Sequence, residues 1–416
     1  MSLCAFSRRR AALSVLPAAL YAALAFSCAP RTLAETPGAE AHGEFAQSQA
    51  ASSDGPAPEP APLDRTISLL ACGDILLART PGARAAEHGF RYLFEGVRDL
   101  VSGADIAFAN LETPASYLGK PYPWKPENVT FRADPATLFG LSWAGFDVVS
   151  LANNHMNDYG PRALEETLDY LELLGIERAG AGRNAEEARR PAVIERAGLR
   201  VLVFAYVEEM WSVIEARSAA ASEALGRVEK RLYGMKPEPG ALPDLDRARF
   251  SRAGLALARI PDMQADVRGA RERYGADYVF VSVHWGEEHE HYPGAFQRAF
   301  GRAAINAGAT AVLGHHPHVL QSIERYKDGI IAYSLGNFVF DMASDSTYES
   351  MALRFVLAEG LIKRAEVVPL RIERKTYRPF PATGADAQLM LRKLQARAKA
   401  LDTVLEIEAS LGTIRF

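Results

Sequence analysis

An α/β fold with a mainly parallel or mixed sheet is what this sequence predicts, and three observations carry the prediction. Short runs dense in Val, Ile, Leu and Phe recur along the chain, as in strands buried on both faces. Stretches of helical periodicity separate them. Several of the apolar runs end abruptly in a carboxylate, an amide or a histidine. Net charge is −4 over 416 residues, and no basic stripe is visible, which excludes an electrostatic nucleic-acid binder.

Residues 1–28 read as a secretory signal: a basic Ser7–Arg10, then an apolar stretch closing at Cys28. "LAFSC" resembles a lipobox, so a lipid anchor on Cys28 is expected. Cleavage near Ser27 or after Ala34 is the alternative, and the paired arginines also permit a twin-arginine route. Residues 29–64, rich in Ala, Pro, Glu, Ser and Gly, bury too little apolar area to fold and should form a tether. Cys72 is then the one cysteine of the folded part, so no disulfide within it is expected, and the thiol should be a small buried group.

The folded domain is expected over residues 65–378. Its predicted strands are 66–74, 104–112, 146–155, 199–207, 277–286, 309–317 and 329–340. The stretch 160–175 predicts a helix, with Pro161 at an early position and Gly175 as the stop. Past residue 340 an antiparallel pair should turn at Glu359-Gly360. Residues 379–416 predict an amphipathic helical tail packed on the domain. No second domain is expected.

Seven of the nine histidines lie in three short stretches: "NNHMND", "VHWGEEHEHYP" and "GHHPHVLQ". Ligands bind beyond the carboxyl ends of strands in open α/β sheets. Asp74, Glu112, Asn154, His284, His316 and His318 all stand at such ends and should converge on one rim. His316 and His318, two apart, can point to the same side if extended; His315 should then point behind the rim. Oxygen and imidazole donors without thiolate suit Mn, Fe or Zn. Six exceed what one tetrahedral ion needs, so two divalent ions are expected, polarising a phosphoryl oxygen and activating water.

Seven segments in order, "GDILLAR" (73–79), "ANLETP" (109–114), "TFRADP" (130–135), "GFDVVSLANNHMNDYG" (145–160), "HWGEEHEHYP" (284–293), "GHHPHVLQ" (314–321) and "YSLGNFVFD" (333–341), carry a family resemblance. The chain resembles the CapA-type poly-γ-glutamate capsule-synthesis family, whose domain looks like a calcineurin-type metallophosphoesterase. The resemblance spans about residues 67–374 and implies a four-layer α-β-β-α sandwich. It also implies Asp74 as a ligand of a first metal, Glu112 as a bridging carboxylate and Asn154 as a ligand of the second. His155 resembles the catalytic histidine, expected to be partly protonated near neutral pH and to give a proton to a leaving alkoxide. Two departures from the phosphoesterase pattern are visible: no Asp-x-His precedes the site, and Glu112 stands where many members carry Asp.

Arg132 is a candidate for binding an anionic group of the substrate, and Asn337 for substrate binding or for orienting a ligand. Glu287 and Glu288 read as a solvated loop near the site. The Pro- and aromatic-rich 121–129 reads as surface packing that could cover the site. The expectation is an exported cell-envelope protein, membrane-anchored or periplasmic, for synthesis or handling of an anionic surface polymer. Its expected reaction is metal-dependent hydrolysis of a phosphoester-type bond. The alternatives are a non-catalytic polymer-binding accessory of a membrane synthase, or an amide hydrolase of γ-glutamyl links.

Overall fold

In a computed structural model of the protein, residues 65–122, 125–209 and 253–416 are described. The expected signal (1–28) and tether (29–64) lie outside them. In chain order the strands are β1 Ile67–Ile75, β2 Ile106–Leu111, β3 Val148–Ser150, β4 Glu177–Ala179, β5 Ala181–Gly182 and β6 Ala192–Arg196. There follow β7 Leu199–Val207, β8 Gly254–Leu255, β9 Tyr278–His284, β10 Ala311–His315, β11 Ile323–Tyr326 and β12 Gly329–Ala332. The last are β13 Asn337–Val339, β14 Glu349–Ala358, β15 Leu361–Ile372, β16 Pro379–Pro381, β17 Leu405–Glu408 and β18 Leu411–Ile414.

Two sheets make the body. A ten-stranded sheet runs β17-β18-β15-β14-β1-β2-β3-β4, with β13 beside β1 and β16 beside β15; a six-stranded sheet runs β11-β12-β10-β9-β7-β6. Side-chain alternation sorts the second sheet's two faces. Val201, Val203 and Ala205 of β7 and Tyr278 and Phe280 of β9 join the large core shared with β1, β2 and β14. Their neighbours Leu202, Phe204, Val279 and Val281 face the other way, onto Met263 and Val267 of helix Ile260–Arg268 and Phe300 of helix Ala295–Ala307. Helices Leu138–Ala144 and Pro161–Leu173 contribute Leu138, Leu141, Leu164 and Leu168 to the ten-stranded sheet's side. The expected four-layer α-β-β-α sandwich is the fold observed.

Three expected elements differ. The run 329–340 is two strands, not one: β12 lies in the six-stranded sheet, the chain crosses at Tyr333–Gly336, and β13 joins the ten-stranded one. Backbone contact at this crossing demands glycine. A Cβ on Gly73 would lie 2.0 Å from the Gly336 carbonyl oxygen, and one on Gly314 2.0 Å from that of Tyr333. The run 146–155 is strand only over β3. Beyond it the Asn153 side chain accepts from the backbone N–H groups of His155 and Met156 and turns the chain off the sheet. The tail is helix only over Gly384–Lys399; 405–414 form the hairpin β17–β18, paired to β15. Among the described residues no helix is long and apolar enough to cross a membrane. Cys72 is buried, and burial pushes its thiol pKa up.

The crossing sets the site. Register pairs Asp74 with Asn110 of β2 and Asn337 of β13, and pairs His284 with His315. The carboxyl ends of both sheets' parallel strands therefore meet at one seam.

Candidate metal centre

Asp74, near the end of β1, is fully buried. Its Oδ1 accepts from Asn110 Nδ2 at 2.9 Å and pairs with His315 Nδ1 at 2.9 Å. Its Oδ2 accepts from the His316 backbone N–H at 3.2 Å and lies 3.8 Å from His318 Nδ1. Burial alone would raise its pKa. The His315 contact, then the proximity of His318 and the Asn110 bond, outweigh that and hold it below the usual range. His315 thus backs Asp74 through its Nδ1.

Replacing His315 by Phe keeps a ring and removes the donor, so stability at about pH 7 should fall by about 1–3 kcal/mol. Asp74's folded pKa is depressed, so its contribution is present above the ordinary aspartate value and is lost as pH falls through the folded one. Denaturant unfolding of both proteins should show the gap steady down to about pH 4 and narrowing only below it. A gap independent of pH would contradict this role.

Glu112, one residue past β2, is the anomaly. It is fully buried, and neither carboxylate oxygen has a hydrogen-bond partner. Its Oε1 lies 3.4 Å from His284 Nε2, 3.9 Å from His155 Nε2 and 4.0 Å from His318 Nε2. Burial, then the charges of Asp74 and Glu288, push its pKa well up. A buried carboxylate without donors is costly, and such an orphan in a native fold calls for an ion or another partner.

The histidines around it are suited to hold that ion. His284 Nε2 is 2.8 Å from Asn154 Oδ1 and 3.1 Å from His316 Nδ1. Burial and the neighbouring imidazoles depress the His284 pKa, and burial and His318 push His316 down to about 3. Both are therefore neutral at neutral pH, the state in which imidazole binds metal. His316 and His318 have φ of 96° and 57°, so they stand on left-handed backbone, not on the extended strand the spacing suggested. Such strain costs about 1–3 kcal/mol per residue and clusters at functional sites.

Three groups of side chains could each hold a metal ion: Glu112 with His284 and His316, Asp74 with Glu112 and His318, and Glu288 with His316 and His318. Glu112 belongs to two of them. Glu288, expected in a solvated loop, is exposed yet reaches the cluster. Asn154 lies at the same point through His284.

The two substrate-binding candidates make different contacts. Asn337 is fully buried beneath His318, with Oδ1 2.8 Å from His318 Nδ1 and Nδ2 donating to the Thr347 carbonyl at 3.1 Å. It orients His318 and has no surface to offer a substrate. Arg132 is exposed, stacked 4.2 Å over the Tyr159 ring and donating to the Leu118 carbonyl.

His155 stacks on Phe131, with ring centroids 4.0 Å apart, and presents Nε2 to Glu112. Burial pushes its pKa down to about 4, against the expected partial protonation at neutral pH. Its Nδ1 lies 2.8 Å from Asp158 Oδ2 and 3.0 Å from Lys125 Nζ. Sequence reading missed Asn110, Asn153, Lys125 and Asp158. Asn110 could have been found, since it lies two before Glu112 and shares its side of the strand. Lys125, from the 121–129 loop, gave no signal.

This chain belongs to a family of bacterial capsule synthesis proteins: the family described as bacterial capsule synthesis protein PGA_cap matches residues 68–342. The chain is similar to "Capsule biosynthesis protein CapA" of Bacillus anthracis, 31% identical over 330 residues, covering 79% of this chain and 72% of that protein. It is similar to "PGA biosynthesis protein CapA" of Bacillus subtilis (strain 168), 27% identical over 332 residues, covering 80% and 78%. A "Probable polyglutamine synthesis accessory protein" of Mycobacterium tuberculosis is 29% identical over 288 residues, covering 66% and 67%. The CapA-type resemblance read from the seven segments is thus the family found.

Proposed function

We propose that this protein is a metal-dependent hydrolase of phosphoester-type bonds, acting in the synthesis or handling of an anionic cell-surface polymer. The supporting observation is Glu112, a fully buried carboxylate without a hydrogen-bond donor, ringed by imidazoles. Asp74, Asn154, His284, His316 and His318 would hold two divalent ions, Mn, Fe or Zn, with Glu112 shared between them. Such ions supply Lewis-acid polarisation of a phosphoryl oxygen. His155, its Nε2 turned to Glu112, is assigned to assist the leaving oxygen. Asp74 is kept charged by His315 and Asn110, and Asn337 fixes the His318 ring.

Purified protein should hydrolyse a generic phosphodiester, lose the activity on chelation and regain it with Mn or Zn. An inactive, metal-loaded protein would favour a non-catalytic polymer-binding role beside a membrane synthase. The word "accessory" in the name of the mycobacterial relative speaks for that second reading. We also assign the protein to the cell envelope through a lipid on Cys28, on the strength of the apolar stretch that this residue closes. Wild type should fractionate with membranes and Cys28→Ala should not; wild type found only in the soluble fraction would exclude the anchor.

A further inference from the structure

Glu288 is the one exposed member of the three ion-holding groups; Asp74, Glu112, His284, His316 and His318 are all buried. One ligand atom from each of Glu288, His316 and His318 lies within 4.8 Å of the other two. The Glu288 side chain is 52% exposed, with Oε2 3.9 Å from His289 Nε2. It therefore brings a carboxylate to the cluster from the side that solvent, and any substrate, can reach.

The backbone holds it there. On one side, the Gly286 N–H donates to Glu208 Oε2 at 2.9 Å. On the other, the His289 N–H donates to the Pro317 carbonyl at 2.8 Å. Pro317 stands between His316 and His318, so this bond ties the residue after Glu288 to the turn that carries both imidazoles. Gln321 Nε2 then holds the Glu290 carbonyl at 2.9 Å. His289 has a φ of 67°, left-handed like His316 and His318. Such backbone costs energy at residues other than glycine, and it clusters at ligand clamps and other functional sites. An acidic run that only faces water gains nothing from strain on both sides of this contact.

We propose that Glu288 is a displaceable ligand of the metal centre, taking the solvent-side position on an ion held by His316 and His318 and yielding it to an anionic group of the substrate. Glu112 and Glu288 offer the same carboxylate in opposite surroundings. Glu112 is buried without a donor, so parting from an ion would strand it. Glu288 exchanges an ion for water at little cost, since half of its side chain already faces solvent. The first is a fixed ligand and the second a labile one. This role rests on the metal centre of the reading above, and not on the hydrolysis assigned to it.

The test is equilibrium binding to the full-length protein, read without turnover. Zinc affinity is measured by competition with a chelator, and inorganic phosphate is then titrated calorimetrically into zinc-loaded protein. Glu288→Gln keeps the size of the side chain and removes its charge. The bonds that hold the loop do not use that side chain, so the fold should persist. Zinc affinity should fall by about tenfold or more, the level at which even outer partners of ligands count. Phosphate should bind about tenfold more tightly, as expected when a competing ligand that filled the position roughly nine-tenths of the time is gone. Glu287→Gln removes the same charge from the preceding residue, which is exposed and outside all three groups, and should move neither constant. Wild-type zinc affinity in Glu288→Gln overturns the proposal. So does an equal loss in Glu287→Gln, which would reduce the effect to net charge. Weaker zinc binding with no gain in phosphate affinity also overturns it, since Glu288 would then be a fixed ligand. Wild type that binds no zinc would remove the metal centre itself, and this inference with it. Both shifts in a protein that hydrolyses nothing would count against the hydrolase reading alone.

Discussion

Replacing His316 or His318 should strip the protein of most of its metal. Each belongs to two of the ion-holding groups, and each sits within reach of carboxylates: Glu112 and Glu288 for His316, and Asp74, Glu112 and Glu288 for His318. Outer partners of metal ligands typically carry ~10–100-fold in affinity, and direct ligands should exceed that. The backbone sharpens the test. His316 holds a φ of 96°, which glycine adopts freely, so His316→Gly removes the imidazole and the strain together. Compared without metal, that variant should stay within about 1 kcal/mol of wild type, since strain relief offsets lost packing. Compared after metal loading, it should be far less stable, because only wild type gains ligand-linked stability. Metal analysis beside thermal melts with and without chelator reads both effects. Unchanged metal content in both the His316 and His318 variants would mean the cluster has been misread.

The second large effect is on rate. His155→Ala should retain metal and fold yet lose about 10²–10⁴ in turnover, with the smallest loss on substrates carrying good leaving groups. The fold should survive because the groups beneath the ring stay paired: Asp158 keeps Lys125 and the Phe131 N–H, and Lys125 keeps the Asn154 carbonyl. Loss of thermal stability and metal together would instead give His155 a structural role. Full activity in a well-folded, metal-loaded variant would remove the catalytic assignment and favour the polymer-binding reading.

What the sequence made legible was the rim. Asp74, Glu112, His284 and the 315–318 cluster each follow a run of buried apolar residues, and a strand's end is a position that composition reveals. The geometry at the rim was less legible. Two-residue spacing suggested extended backbone at His316 and His318, but the chain there is left-handed, a local strain that no pattern of apolar residues encodes. The strand pair β12 and β13 read as one run because both halves are apolar; what divides them is the close approach of Gly336 to Gly73, a tertiary fact. The tail misled for the opposite reason. "LEIE" (405–408) alternates with period two, but it follows a strongly helical stretch whose periodicity dominates any longer window. Lys125 was invisible, since a lone lysine in a proline-rich loop reads as solvated until Asp158 and His155 are seen beneath it.

On the reading proposed here, side chains from both sheets build one metal centre around Glu112. Anomalous diffraction from crystals of the metal-loaded protein, collected at the absorption edge of the metal that analysis identifies, tests it most directly. Two peaks should flank the Glu112 carboxylate, one towards His284 and His316 and the other towards Asp74 and His318. Loaded crystals with no anomalous peak beside Glu112, or with metal bound only elsewhere on the surface, would contradict it.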